Sequence, residues 1–427
     1  MDKLDTHNEI YKNKTRKSMN FYSKAIKLFP GGISHNIRYF APYPFFVKKS
    51  KGKFLYDVDE NKFIDYWMGH WALILGHSYP IISKQISKQS MYGTLFGTTN
   101  IQSVELGEII QKLMPKAERM RFSSTGSEAT MYAVRLARAK TRKRVIAKVI
   151  GGWHGFNTTL LHSVSYPFEL DEGMGLVDDE QFIESLPFND FEPVLGGAGC
   201  IPPENDYLLG LQEFAKKNGA IFILDEIVTG FRVSINGAQK IYNLEPDLFT
   251  LGKIAGGGLP IGIVCGDKEI MSLSDNTGNQ NKGNFCSIGG GTFSANPLTM
   301  IAGYATLSFL KKNQNMVYPK INKLGDKVRK DLTKVFLDNK IKAEITGIGS
   351  LFKIHFLNDK VNSIKNAFDV AISNKSKLIN YEMNLMSNYN IFFLPTKLGA
   401  ISYVHDVKDI NNLINATQKI IDSGNLK

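Results

Sequence analysis

Cysteine is scarce in this chain: three residues in 427, Cys200, Cys265 and Cys286, none of them paired as CxxC. An odd, widely spaced set argues against a disulfide framework and fits a reducing cytoplasm, and no bound metal is expected. Long apolar runs are also missing. Nowhere do about 18 apolar residues follow one another, so no membrane-spanning helix is expected. The opening stretch MDKLDTHNEIYKNKTRKSMNFYSKAIKLF has no apolar core and carries Asp2, Asp5 and Glu9, which a transit peptide avoids. Internal repeats and low-complexity linkers are absent too. Acidic residues are outnumbered, 40 against 52 Lys and Arg, leaving a formal charge of +12. The lysines are scattered among Asn and Ile. The densest cluster, Arg135, Arg138, Lys140, Arg142, Lys143 and Arg144, falls at the end of an expected helix, where the dipole favours cations. No recognition motif accompanies it, so no nucleic-acid partner is expected.

What is present is a 427-residue chain that is 43% hydrophobic. Single cores stop growing near ~250–300 residues, so two structural units are expected. Met19, Tyr22, Ala25, Ile26 and Phe29 lie at helical spacing, and Pro30-Gly31-Gly32 ends that helix. Residues 45–66 alternate as strands joined by a turn at Asp59-Glu60-Asn61. Residues 101–114 read as an amphipathic helix. Apolar runs at 144–150, 220–228 and 261–266 then alternate with helical stretches, the rhythm of an α/β protein with a largely parallel sheet. From about residue 320 the pattern is α+β, with strands over 350–357 and 390–395 and a last helix from Lys408. The expected division is a large unit over 76–315 and a small unit built from 1–75 and 316–427.

Three stretches carry chemistry. FSSTGSEAT (122–130) sets small hydroxyl residues before the helix MYAVRLARAK, which makes either an anion site or an ordinary N-cap. AIFILDEIVTGFR (220–232) ends a buried strand on Asp225 and Glu226, at the strand terminus where α/β proteins bind ligands and where helix caps also occur. PDLFTLGKIAGGGLPIGIVCG (246–266) sets Lys253 between an apolar run and three glycines. A nucleophilic lysine needs its pKa lowered by desolvation or a nearby cation, and glycines admit a bulky group. The spacing is not that of a P-loop.

Phosphate loop, aspartate and lysine in this order resemble the class III aminotransferases, fold-type I enzymes that use pyridoxal 5'-phosphate (PLP). Within them the resemblance is to glutamate-1-semialdehyde 2,1-aminomutases and their transaminase relatives. FPGGISHNIR (29–38), YDVDENKFIDY (56–66), LILGHSYP (73–80), GGWHG (151–155) and GTFSANPLTMIAG (291–303) extend it along nearly the whole chain. The resemblance implies that Lys253 holds PLP as a Schiff base and moves the substrate proton. It implies that Asp225 pairs with the ring nitrogen and that Trp153 stacks on the ring with His154 in support. Thr125, Gly126 and Ser127 would hold the phosphate, and Thr292 would reach it from the other subunit of a homodimer. Arg38 would clamp a substrate carboxylate beside His70 and Trp71.

The chain departs from the aminomutase pattern in two places. Gly69-His70-Trp71-Ala72 replaces a Ser-Trp-Gly-Pro run, His35 replaces a serine, and no acidic residue stands among Pro395, Thr396, Lys397, Leu398 and Gly399. The span from His154 to Asp225 is also short, as though a helix and the internal strand ending at Glu192-Pro193 were missing. Residues 160–168 or 179–188 are expected to supply the lost pairing, with SVSY (163–166) the first choice because it alternates; the other outcomes are a sheet that closes up one strand short or a destabilised large unit that holds PLP poorly. The expected function is amino transfer on a small carboxylate-bearing substrate, between a small-molecule donor and acceptor. The alternatives are the intramolecular aminomutase reaction and a PLP-fold protein whose turnover is reduced or lost.

Overall fold

The computed structural model describes residues 3–168, 182–186, 199–203, 206–277 and 285–426. The alternation over 45–66 becomes three antiparallel strands, Val47–Lys51, Phe54–Asp57 and Lys62–Asp65. Asp57 closes the turn, its carboxylate accepting the Asp59 and Asn61 amides at 2.9 and 2.7 Å, as Asx turns do. Ile391–Phe392 from the far end of the chain joins in parallel beside Lys62–Asp65. Both chain ends therefore share one sheet.

The central sheet has the order Arg119–Ser123, Gly262–Gly266, Leu248–Gly252, Ile223–Glu226. Three of these strands run the same way and Gly262–Gly266 runs against its two neighbours. Leu248–Gly252 and Gly262–Gly266 are buried at every position. A strand covered on both faces reads as a continuous apolar run, which is how these segments stand in the sequence. The helix Gly126–Thr141 packs on them through Ala129, Ala133, Leu136 and Ala137. A single apolar cluster continues from Leu224, Phe249 and Ile263 to Phe352, Ile410 and Ile421 near the C-terminus.

The shortened span behaves differently from the expectation. SVSY (163–166) forms no strand; instead Ile183–Leu186, inside the second candidate segment, pairs in parallel with Ile146–Val149. Tyr166 is followed by a cis Pro167, and proline cannot donate to a ladder, which ends a strand at that point. Among the described residues no strand joins this pair to Ile223–Glu226, so the two sheets stay separate. Glu192 and Pro193 lie outside the described residues. No helix among the described residues is long and apolar enough to cross a membrane.

Candidate active site

The buried strand Leu248–Gly252 ends on Lys253, which takes a left-handed φ of 45° at the start of a short 3₁₀ turn. A non-glycine residue in that region is strained, and such strain gathers where a side chain must be aimed. The Lys253 ammonium lies 5.7 Å from the centre of the Trp71 ring. Burial lowers its pKa to about 8 against the opposing pull of the Asp225 carboxylate. A substantial fraction of the amine is thus neutral near pH 8, where an exposed lysine is almost wholly charged.

Asp225 and Glu226 are neighbours on one strand, so they point to opposite faces. Asp225 accepts from His154 Nδ1 at 2.8 Å, from the Thr250 hydroxyl at 2.8 Å and from the Ile227 amide at 3.0 Å. Burial pushes its carboxyl up, yet the His154, Ile227 and Thr250 bonds outweigh burial and the net pKa falls. It stays ionised. Glu226, fully buried, accepts the Ala238 and Gln239 amides, both at 2.9 Å, and the Thr229 hydroxyl at 2.5 Å. It anchors the turn that leads into the helix Gly237–Ile241. One carboxylate serves the site and the other the scaffold.

Thr125 is the N-cap of Gly126–Thr141. Its hydroxyl accepts the Glu128 amide at 3.2 Å while Glu128 returns to the Ser124 and Thr125 amides at 2.9 and 3.0 Å. This capping box leaves the Gly126 and Ser127 amides without hydrogen bonds among the described residues. Free amides at a helix N-terminus attract an anion. Two glycines hold the turn in place. A β-carbon on Gly262 would sit 1.9 Å from the Thr125 carbonyl oxygen, and one on Gly155 would sit 2.5 Å from the Ser127 hydroxyl.

The opposite wall is a left-handed turn: Met68, Gly69, His70 and Trp71 all have φ between 45° and 66°. Buried Arg232 braces it by donating to the Trp71 carbonyl, and the Trp71 indole donates to Leu398 O at 3.0 Å. His70 packs on Trp67 with ring centres 4.3 Å apart and meets His35 at 5.8 Å. Burial and then the cations of Lys253, Arg38 and Lys397, with His35 between the first two in weight, push its pKa down to about 3. His70 is therefore a neutral imidazole in a positive surrounding. Arg38 donates to Ser34 Oγ at 3.1 Å and forms no ion pair among the described residues.

A family model described as aminotransferase class-III matches residues 38–189 and 191–377. The chain belongs to that family. The glutamate-1-semialdehyde 2,1-aminomutase of Archaeoglobus fulgidus is 36% identical over 431 residues, spanning 95% of this chain and 99% of that protein. A transaminase solved with PLP bound superposes at a TM-score of 0.86 and 28% identity, over 96% of this chain and 98% of the other. A β-phenylalanine aminotransferase from Variovorax paradoxus does so at 0.87 and 26%, over 99% and 97%. This class III enzyme has the fold-type I architecture, uses pyridoxal 5'-phosphate and transfers amino groups.

Within the aminotransferase, Lys253, Trp71, His70 and Arg38 gather on one side of the site. Asp225 with His154, and Thr125 to Ser127 with Gly155, form the other parts. Trp153 is 45% exposed and its ring neighbour among the described residues is Phe156, at 5.9 Å. Thr292 is exposed, with Gly291 beside it close to Glu128 and Ser124 of its own chain. His154 was expected to support the tryptophan and is instead bonded to Asp225. Thr250, the third residue before Lys253, escaped notice because a lone threonine inside a strand carries no motif. Lys397 had no assigned part either.

Proposed function

We propose that this aminotransferase moves an amino group between two small molecules, at least one of them bound by its carboxylate at Arg38. Arg38 carries the reading: a guanidinium without a carboxylate partner, beside a neutral His70, offers a bidentate seat for an anion. The Variovorax relative acts on a β-amino acid by its name, and the Gly69-His70-Trp71-Ala72 wall differs from the aminomutase run. The intramolecular aminomutase reaction is the second reading, favoured by the name of the Archaeoglobus relative. Product formation from a single substrate without an acceptor distinguishes the two.

The residues fit PLP. The free Gly126 and Ser127 amides suit its phosphate, and ionised Asp225 suits a protonated ring nitrogen. When bound, PLP supplies an electron-accepting ring next to the substrate carbon that loses its proton. Lys253 would hold the cofactor and, as a neutral amine, take and return that proton at Nζ. Asp225, held by His154 and Thr250, would keep the proton on the ring nitrogen. Trp71 would keep water from Lys253. Arg38→Ala is expected to raise KM ~10–100-fold for amino-acid donors and to leave simple amines nearly unchanged. Equal effects on both classes would make Arg38 structural.

The same reading includes a homodimer, with the partner subunit's Thr292 completing the phosphate site. Exposed Met91, Tyr92, Leu95, Phe96, Ile101 and Val104 supply apolar surface for it. Sedimentation should show a dimer that persists at assay concentrations, and a fully active monomer would refute the shared site.

A further inference from the structure

Arg232 is fully buried, yet no carboxylate pairs with it among the described residues. Its guanidinium donates from Nη1 to the Ile401 carbonyl at 3.0 Å and from Nη2 to the Trp71 carbonyl, and its Nε has no partner among the described residues. Burial lowers its pKa to about 10, so it is a cation at neutral pH. A buried cation without a counter-charge is costly, and an apolar side chain of similar volume would avoid the cost. The two carbonyls account for the guanidinium. Trp71 and Ile401 are both buried, and neither carbonyl takes a backbone amide among the described residues. A buried carbonyl without a donor is costly as well.

Strain marks both ends of this contact. Arg232 follows Phe231, a bulky buried residue at a left-handed φ of 58°, and meets Trp71 at the close of the left-handed run from Met68. Such backbone persists where a side chain must be aimed. The turn that carries Arg232 starts at the strand of Asp225 and Glu226: Gly230 N donates to Glu226 O at 2.9 Å and Arg232 N to Thr229 O at 3.0 Å. A β-carbon on Gly230 would lie 2.7 Å from that same Glu226 oxygen, so the turn has no slack there. Asp65 fixes the other end of the wall, accepting the Trp67 and Met68 amides at 2.7 and 3.1 Å. Arg232 thus ties the wall beside Lys253 to the strand of Asp225 and, through Ile401, to the C-terminal part of the chain.

We propose that Arg232 is a positioning residue for the substrate wall: its fork holds the Trp71 turn in register with the Asp225 strand, which keeps the centre of the Trp71 ring 5.7 Å from the Lys253 amine. This role rests on the reading that the His70–Trp71 wall meets substrate, and adds what holds the wall in place. In the holoenzyme, Arg232→Met should lower kcat/KM for an amino-acid donor ~10–100-fold per cofactor-loaded site, as a misplacement of about 1 Å does. Trp71→Ala should lower it too, and Arg232→Met placed on Trp71→Ala should add less than about threefold, because the two act through one ring. Arg232→Lys, which keeps a cationic donor at the carbonyls, should recover most of the loss. The wall also has a direct optical readout, since Trp67→Phe with Trp153→Phe leaves Trp71 the sole tryptophan of three. In that background Arg232→Met should shift the emission to longer wavelength and open the indole to acrylamide, and Arg232→Lys should return both toward the parent. Should Arg232→Met fail to fold, Arg232→Gln, which keeps an NH2 donor, takes its place under the same criteria. An arginine that only stabilises the fold would lower the melting temperature and leave kcat/KM per loaded site and the emission unchanged, which would overturn the proposal. A loss of equal size with and without the Trp71 ring would do so too. If Trp71→Ala spares every donor, the reading of the wall itself fails; if Trp71→Ala acts and the Arg232 variants do not, only the brace falls.

Discussion

Lys253→Ala is expected to abolish turnover, by a factor on the order of 10⁴ or more, because in the proposed mechanism one side chain would serve as cofactor anchor and proton carrier. The fold should survive. The substitution removes a desolvated amine, whose burial already disfavours its charged form, so melting temperature should hold or rise. Wild-type protein reduced with borohydride should carry its label on Lys253 in peptide mass spectra. Cofactor capture by the apoprotein should quicken about tenfold per pH unit and level off near pH 8, following the neutral fraction of the lysine. Label on another lysine, or turnover within tenfold of wild type in the variant, would remove Lys253 from this part.

Asp225→Asn is expected to cost ~10²–10³ in kcat, the usual loss when a preorganised charge is removed from a site. An amide cannot keep a proton on a ring nitrogen, and it also weakens the bond to His154, now 2.8 Å from a carboxylate oxygen. The pH dependence has a definite sign. The folded pKa of Asp225 lies below its ordinary 3.8, so its stabilisation is complete above about pH 4 and is lost as pH falls through the lowered value. The variant should therefore be less stable than wild type at pH 7, with the gap narrowing in acid. Near-normal turnover, with unchanged cofactor absorbance, would show that Asp225 takes no part.

Much of the site is legible in the sequence because its parts are local. Thr125 to Glu128 form a capping box within four residues, and the amides it leaves free follow from helix geometry alone. Asp225 and Lys253 each end a strand, and apolar runs announce both strands. The division of labour between Asp225 and Glu226 is less visible. Alternation along the strand predicts opposite faces, but only the packed structure shows that His154 waits on one face and the Gly237–Ile241 turn on the other.

The rest depends on contacts between distant segments. Arg232 reaches Trp71 across 161 residues to brace the left-handed turn. The shortened span followed the same rule. Alternation favoured SVSY, yet strand pairing is decided by what a neighbour can meet, and Ile183–Leu186 met Ile146–Val149. From the sequence alone came the resemblance to the family and, through it, the expected cofactor and binding groups, since the motifs that carry the resemblance are short and local. The tertiary structure alone decided that His154 and Thr250 bond Asp225 and that Arg38 forms no ion pair among the described residues, because burial and electrostatic neighbours are properties of packing.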